Sequence, residues 1–216
     1  MTAPLRLATR GSPLALAQAE ETRRRLRAVW PDLAADEDAV ALVVIKTTGD
    51  KILDRPLADA GGKGLFTKEI EEALVDGRAD VAVHSMKDVP TFPPEELALD
   101  CILPREDHRD ALIAPGRAAI AELPQGARVG TASLRRQAFL KAMRPDLQVA
   151  TLRGNVQTRL KAIADGQFDA TLLAMAGLNR LGLAEHAQAP IPEDALLPAV
   201  AQGAVGLQRR AGDDET

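Results

Sequence analysis

Aromatic side chains are scarce: the 216 residues include one Trp, four Phe and no Tyr, 2% of the chain in all. A single-stranded nucleic-acid platform needs rings on which bases stack, so that function is disfavoured. The core has to be built from Ala, Val, Leu and Ile. Cysteine is limited to Cys101, which excludes an intrachain disulfide and a multi-cysteine zinc site. Cys101 lies in the apolar run LALDCIL and reads as a small buried core residue. The three histidines, His84, His108 and His186, lack metal-ligand spacing. No apolar run is long enough to span a bilayer, and the first residues, MTAPLRLATR, contain no apolar signal core. A cytoplasmic protein that binds neither membrane nor nucleic acid is expected; the net charge of -4 agrees with the latter.

What is present is ordinary globular composition, 46% hydrophobic and 27% charged, in a chain long enough for one large domain or two small ones. Short β-branched or apolar runs alternate with helical ones. Leu5–Thr9 predicts a strand, and Ser12 then predicts an N-cap with Pro13 at the first helical position, opening a helix to about Val29. Val40–Thr47, Ala79–His84 and Leu97–Leu103 predict further strands, with a helix over Phe66–Val75 stopped at Gly77. The second half predicts strands at Asp110–Ala114, Arg128–Thr131, Gln148–Leu152 and Ala170–Ala174, with helices over Leu134–Met143 and Val156–Ala164. This alternation implies α/β architecture with mostly parallel sheets and helices on both faces. No sequence repeat is visible. Residues 48–63, TGDKILDRPLADAGGK, have no periodicity and form a long loop of the functional kind. The proline-rich points Pro93–Pro94 and Pro190–Pro198 suggest crossings between lobes.

Charge distribution is more informative than net charge. Eight basic residues lie between Arg128 and Lys161, against one acid, Asp146. A solvated basic helix face is the plainer explanation. Position argues for an anion site instead. Arg135 and Arg136 fall in the first turn of a helix that follows the strand RVGT. Arg153 follows VATL and precedes Asn155, an N-cap candidate. Arg10 follows the first strand and precedes Ser12. Ligands of α/β sheets bind beyond the carboxyl ends of strands, where helix N-termini offer N–H donors. Arginine adds a planar fork that matches carboxylate, and cations at helix starts disfavour the helix itself. A fourth strand end, ADVAVHSMKDVP, carries Lys87 and Asp88; a carboxylate beside cations can serve as an acid/base or steady a substrate cation. The Gly61–Gly64 segment lacks the spacing of a phosphate loop. His84, ending an apolar strand, reads as structural.

Taken together, LATRGSPLALAQ, GGKGLFTKE, ADVAVHSMKDVP, REDHRDALI, GTASLRRQ, LRGNVQTRL, AGLNRLGL and LPAVAQGAVG resemble, in order from about Leu5 to Gln208, the porphobilinogen deaminase (hydroxymethylbilane synthase) family. The resemblance implies a transferase of tetrapyrrole and haem biosynthesis. It would join four porphobilinogens head to tail on a dipyrromethane primer, releasing ammonia at each step, and act as a monomer. Each porphobilinogen carries an acetate and a propionate, so the growing pyrrole chain is a polycarboxylate; loss of ammonia leaves a cationic azafulvene that a carboxylate can stabilise. By motif, Asp88 is the expected catalytic aspartate. Lys87, Thr131, Ser133, Arg135 and Arg136 are expected cofactor contacts. Arg10, Ser12, Lys63, Arg153, Arg159 and Gln202 are expected contacts to substrate or the growing chain. The implied fold is the two-lobed periplasmic-binding-protein type II form, with residues 1–103 plus 198–216 in one lobe, 104–197 in the other, and the ligand in a cleft between them.

The family continues with a third, smaller α+β domain carrying the cysteine that anchors the cofactor. This sequence ends at AGDDET, and Cys101 lies in a different motif. The chain is therefore expected to be the N-terminal part of such an enzyme, inactive or nearly so alone. Ala17, Ala132 and His108 depart from the common family residues without touching a charged contact. The competing reading is a two-lobed receptor for a small polyanion, without catalysis; Asp88 argues against it, because a carboxylate in such a cleft repels the ligand.

Overall fold

A computed structural model describes residues 4–51, 64–214 and 216. The chain divides into two compact units, residues 1–105 with 204–216, and residues 106–203. Residues 198–203, expected with the first unit, pack with the second: Gln202 donates to the carbonyl of His108 at 2.8 Å.

The first unit contains β1 (Leu5–Arg10), α1 (Pro13–Val29), α2 (Pro31–Ala34), β2 (Val40–Ile45), α3 (Thr48–Lys51), α4 (Lys68–Val75), β3 (Val81–Ser85) and β4 (Leu97–Ile102). The second contains β5 (Asp110–Ile113), β6 (Arg128–Gly130), α5 (Leu134–Met143), β7 (Gln148–Ala150), α6 (Val156–Ala164), β8 (Ala170–Ala174), α7 (Met175–Arg180) and β9 (Ala189–Pro190). The chain then returns to the first unit as β10 (Val205–Arg210). Ser12 caps α1 by accepting from the Ala15 amide, with Pro13 at the start, and Asn155 caps α6 by accepting from Thr158. Of the segment expected as a loop, residues 48–51 form α3; the remainder, with Lys63, lies outside the described residues.

Sheet order is β2-β1-β3-β10-β4 in the first unit and β7-β6-β8-β5-β9 in the second. These are one topology used twice, although the sequence shows no repeat. In each, three strands run parallel, and the strand reached by crossing from the other unit, β10 or β5, inserts antiparallel. Each sheet is thus mixed, with two parallel and two antiparallel ladders, rather than mostly parallel. The direction of β10 and β5 reverses because they enter from the edge at which β3 and β8 end.

Period-2 alternation buries both faces of each sheet. Leu7, Val81 and Val83 pack with Ala19 of α1, while Ala8 and Ala82 pack with Ile70, Ala73 and Leu74 of α4. In the second unit Leu112 and Leu172 pack with Leu140 of α5; Ala111, Ile113 and Leu173 pack with Ala162 and Ile163 of α6 and Leu178 of α7. Aliphatic side chains alone make most of this core, as the composition requires. Cys101 is the exception to its expected place. It is exposed, because β4 is an edge strand whose last three residues are all open to solvent.

Candidate functional site

Register brings the first unit's site residues to one sheet edge. Arg10 pairs with Ile45, and Val205, the first residue of β10, pairs with Ser85. The chain leaves this edge three times, through Arg10–Ser12, through Thr47–Asp50, and through Ser85 into a single 3-10 turn, Met86–Asp88. Lys87 is exposed there and Asp88 half-buried. Gln18 of α1 ties down the end of β3, donating to Ser85 Oγ at 2.9 Å and accepting from it at 3.1 Å. Ser12 is engaged as a helix cap. Arg10 forms an ion pair with Asp50 and lies over the Phe66 ring, 4.0 Å from its centroid. Asp50 also accepts from Thr47 Oγ1 at 2.8 Å. Burial pushes the Asp50 carboxyl up, but the bonds from Arg10 and Thr47 outweigh it and hold it below the usual range.

The second unit gathers its cations at the equivalent edge. Thr131, buried at the end of β6, accepts from the Ser133 amide at 3.2 Å, and Ser133 caps α5. Arg135 and Arg136 follow. Both pair with Asp110, each at 2.6 Å, and Arg136 also donates to the Leu172 carbonyl at 2.7 Å. Gln202, 1% exposed, donates to the same carboxylate at 3.1 Å. Burial raises the Asp110 pKa; the charges and bonds of Arg136, then Arg135 and Gln202, overcome that and keep it ionised. Arg153 follows β7, and Arg159 lies on α6, with Gly154 between them. Gly154 needs its positive φ of 103°, and a Cβ there would stand 2.7 Å from Thr158. Arg159 is the least compensated cation among the described residues of this edge. Its Nε donates only to the Gly154 carbonyl, at 3.1 Å. Desolvation first, then the neighbouring charges of Arg136 and Arg153, lower its pKa to about 10.

The basic run is therefore not one patch. Arg144 caps the carbonyls of Ile120, Ala121, Leu123 and Pro124 and pairs with Asp146; Lys161 pairs with Asp165; Arg128 stacks on Phe168. Only Arg135, Arg136, Arg153 and Arg159 reach the edge. Asp50, Phe66 and Asp110 escaped the sequence reading. Asp110 opens the predicted strand Asp110–Ala114, and in a parallel sheet a strand start lies away from the ligand edge; in an antiparallel strand the start arrives at that edge, opposite Ala174 at the end of β8.

A family model described as "Porphobilinogen deaminase, dipyromethane cofactor binding domain" matches residues 5–216. This chain belongs to the porphobilinogen deaminase family. It is 61% identical over 213 residues to porphobilinogen deaminase of Paracoccus denitrificans, covering 99% of this chain and 67% of that protein. To the chloroplastic porphobilinogen deaminase of Oryza sativa it is 60% identical, covering 97% of this chain and 58% of the relative. The chain thus spans between about half and two thirds of the length of these relatives. A periplasmic substrate-binding protein of an ABC transporter from Coxiella burnetii superposes with a TM-score of 0.54 at 14% identity, covering 97% of this chain and 86% of that one. A nutrient-binding protein from Burkholderia cenocepacia bound to methionine gives 0.54 at 12% identity, with the same coverage of both chains. These likenesses concern fold, and place the chain among periplasmic-binding-protein type II-like structures.

The arginines suit the carboxylates of a dipyrromethane, since Arg159 is a half-buried cation with no carboxylate of its own among the described residues. A covalent anchor is a different matter. The sole thiol, Cys101, sits on the exposed face of β4, in the unit that lacks the arginine cluster.

Proposed function

We propose that this chain is the part of a hydroxymethylbilane synthase that holds the pyrrole chain and carries its acid/base group. The observation that carries this reading is the Arg136–Arg153–Arg159 group. Asp110 already pairs with Arg136, but Arg159, perturbed by the charges of Arg136 and Arg153, has no carboxylate beside it among the described residues, and a desolvated cation near other cations is unfavourable until an anion joins it. A ligand with several carboxylates meets that need, and arginine forks grip each carboxylate by two bonds.

In this reading Thr131, Ser133, Arg135, Arg136 and Lys87 hold the dipyrromethane, which when bound supplies the primer for chain growth. Arg10, Ser12, Lys63, Arg153 and Arg159 meet the incoming porphobilinogen or the growing chain, and Gln202, expected with them but 1% exposed and bonded to Asp110, acts on it through that carboxylate. Asp88 is the catalytic residue. Its carboxylate, on a turn fixed to β3, holds and returns protons at the pyrrole nitrogens and offsets the positive charge left by ammonia. Gln18 and Ser85 keep that turn in place. Ser12 and Ser133 act indirectly as well, since their caps fix where Arg10 and Arg136 emerge. A cytoplasmic, monomeric protein belongs to the same proposal, on sequence grounds alone.

The test is calorimetric titration of the 216-residue chain with porphobilinogen. Saturable binding that weakens with added salt is expected, with little or no product formed. Absence of binding would remove the reading. In an enzyme of full family length, Asp88→Ala should abolish turnover and spare stability, because Asp88 is half-buried on a single turn outside both core clusters. Normal turnover would leave a simple polyanion receptor as the better description.

A further inference from the structure

Asp110 lies in REDHRDALI, a motif to which the sequence assigned no functional residue, yet it is the most heavily bonded carboxylate at the second unit's site. Its side chain is wholly buried. Oδ2 accepts from Arg135 Nη2 at 2.6 Å. Oδ1 accepts from Arg136 Nη2 at 2.6 Å, from Arg136 Nε at 3.2 Å and from Gln202 Nε2 at 3.1 Å. We infer that Asp110 is a positioning residue: it fixes Arg135 and Arg136 for carboxylate binding, and Gln202 in turn fixes Asp110. This rests on the proposed role of the arginines.

An ion pair that only supports the fold is the simpler account, and three features speak for more. First, the anchors sit on both sides of each guanidinium. Arg136 is held by Asp110 on one side and the Leu172 carbonyl on the other, while Arg135 is held by Asp110 and the Leu197 carbonyl. A long, rotamer-rich side chain is thereby ordered before any ligand arrives, which removes that cost from binding. Second, the charges do not cancel. One carboxylate faces two guanidiniums, so a positive charge remains for an anion. Third, Gln202 lies between two residues of positive φ, Ala201 at 57° and Gly203 at 91°. A Cβ on Gly203 would stand 2.4 Å from the Glu106 carbonyl oxygen. A strained alanine and an obligatory glycine put the Gln202 amide where Asp110 needs it, and strain of this kind gathers at functional sites.

The experiment uses the 216-residue chain with 15N-labelled arginine, and Asp110→Asn, which keeps shape but loses the charge and one acceptor. The first readout is exchange of the Arg136 Nε–H with water, assigned by its loss in Arg136→Lys. Asp110→Asn should speed it by about tenfold or more, as expected when a charge-assisted bond is lost. The second is porphobilinogen affinity, expected to fall about tenfold or more and to be partly restored in Asp110→Glu. Gln202→Leu, which keeps the charge, should show the same two changes at smaller size, and it decides the matter if Asp110→Asn does not fold. Exchange and affinity like the parent's in these variants would overturn the inference. If the parent binds no porphobilinogen, the functional reading fails by itself, and exchange alone still decides whether Asp110 positions the guanidinium.

Discussion

His84 Nε2 and Gln208 Oε1 lie 2.9 Å apart in the interior of the first sheet. Gln208 donates from its amide nitrogen to Glu71 at 3.5 Å, so its oxygen faces the histidine, and His84 carries its proton on Nε2. The imidazole is neutral and buried, and burial lowers its pKa to about 4, against a smaller opposing effect of the Gln208 bond. Between pH 6.5 and 4 the unfolded chain then binds a proton that the folded chain refuses. Stability from this group is complete above pH 6.5 and is lost as pH falls toward 4, by about 3 kcal/mol if no other group intervenes. Urea midpoints across this range should fall less steeply for His84→Gln, whose amide can still donate to Gln208. Equal slopes would show that His84 protonates freely in the folded state.

This histidine was legible in the sequence as structural, because it ended an apolar strand. The same local logic found the capped helix starts at Ser12 and Asn155, where one side chain and one amide settle the matter. It could not find Asp110 or Asp50. Their partners are 25 and 40 residues away, and nothing in REDHRDALI or TTGDK says which arginine they meet. Nor could it separate Arg159 from Arg144: both are basic residues close to a strand, and only the fold shows Arg144 capping a loop and Arg159 half-buried beside like charges. Cys101 was misjudged for a related reason, since an apolar run does not reveal that its strand lies at an edge.

Arg159 links stability to binding with opposite signs. Replacing it by Met removes a desolvated charge and its repulsion with Arg136 and Arg153. The ligand-free chain should gain stability, by up to about 1 kcal/mol, a small electrostatic gain of the size usual for well-chosen substitutions. Porphobilinogen affinity should fall about tenfold to a hundredfold, the cost of a lost charge-assisted bond. Thermal melting and calorimetry on the same preparation check both. A variant that is less stable and binds as before would mean that Arg159 belongs to the fold.

Exposure of Cys101 makes a simple chemical prediction. A thiol reagent such as dithionitrobenzoate should label one cysteine per chain within minutes, without denaturant. The labelled chain should bind porphobilinogen like the unlabelled one, because β4 is an edge strand separated by β10 from β3 and from the turn that carries Lys87 and Asp88. Labelling that waits for urea would restore Cys101 to the core.

Backbone conformation around Gln202 separates two neighbouring small residues. Ala201 adopts φ 57°, and exchange for Gly relieves the clash of Cβ with the following carbonyl, by about 1 kcal/mol, against a comparable entropic cost in the unfolded chain. Ala201→Gly should therefore be close to neutral. Gly203 has no such latitude. Alanine there combines φ 91° with a Cβ 2.4 Å from the Glu106 carbonyl oxygen, and that backbone atom cannot move aside alone, because the Glu106 amide is itself bonded to the Gly203 carbonyl. A loss of about 2 kcal/mol or more is expected for Gly203→Ala, the upper part of the range for strained backbone. The loss should appear first in the second unit, as faster hydrogen exchange at Ile191, whose amide donates to the Asp110 carbonyl at 2.7 Å. Equal melting temperatures for the two variants would show that the turn rearranges at little cost, and the strain attributed to it would have to be withdrawn.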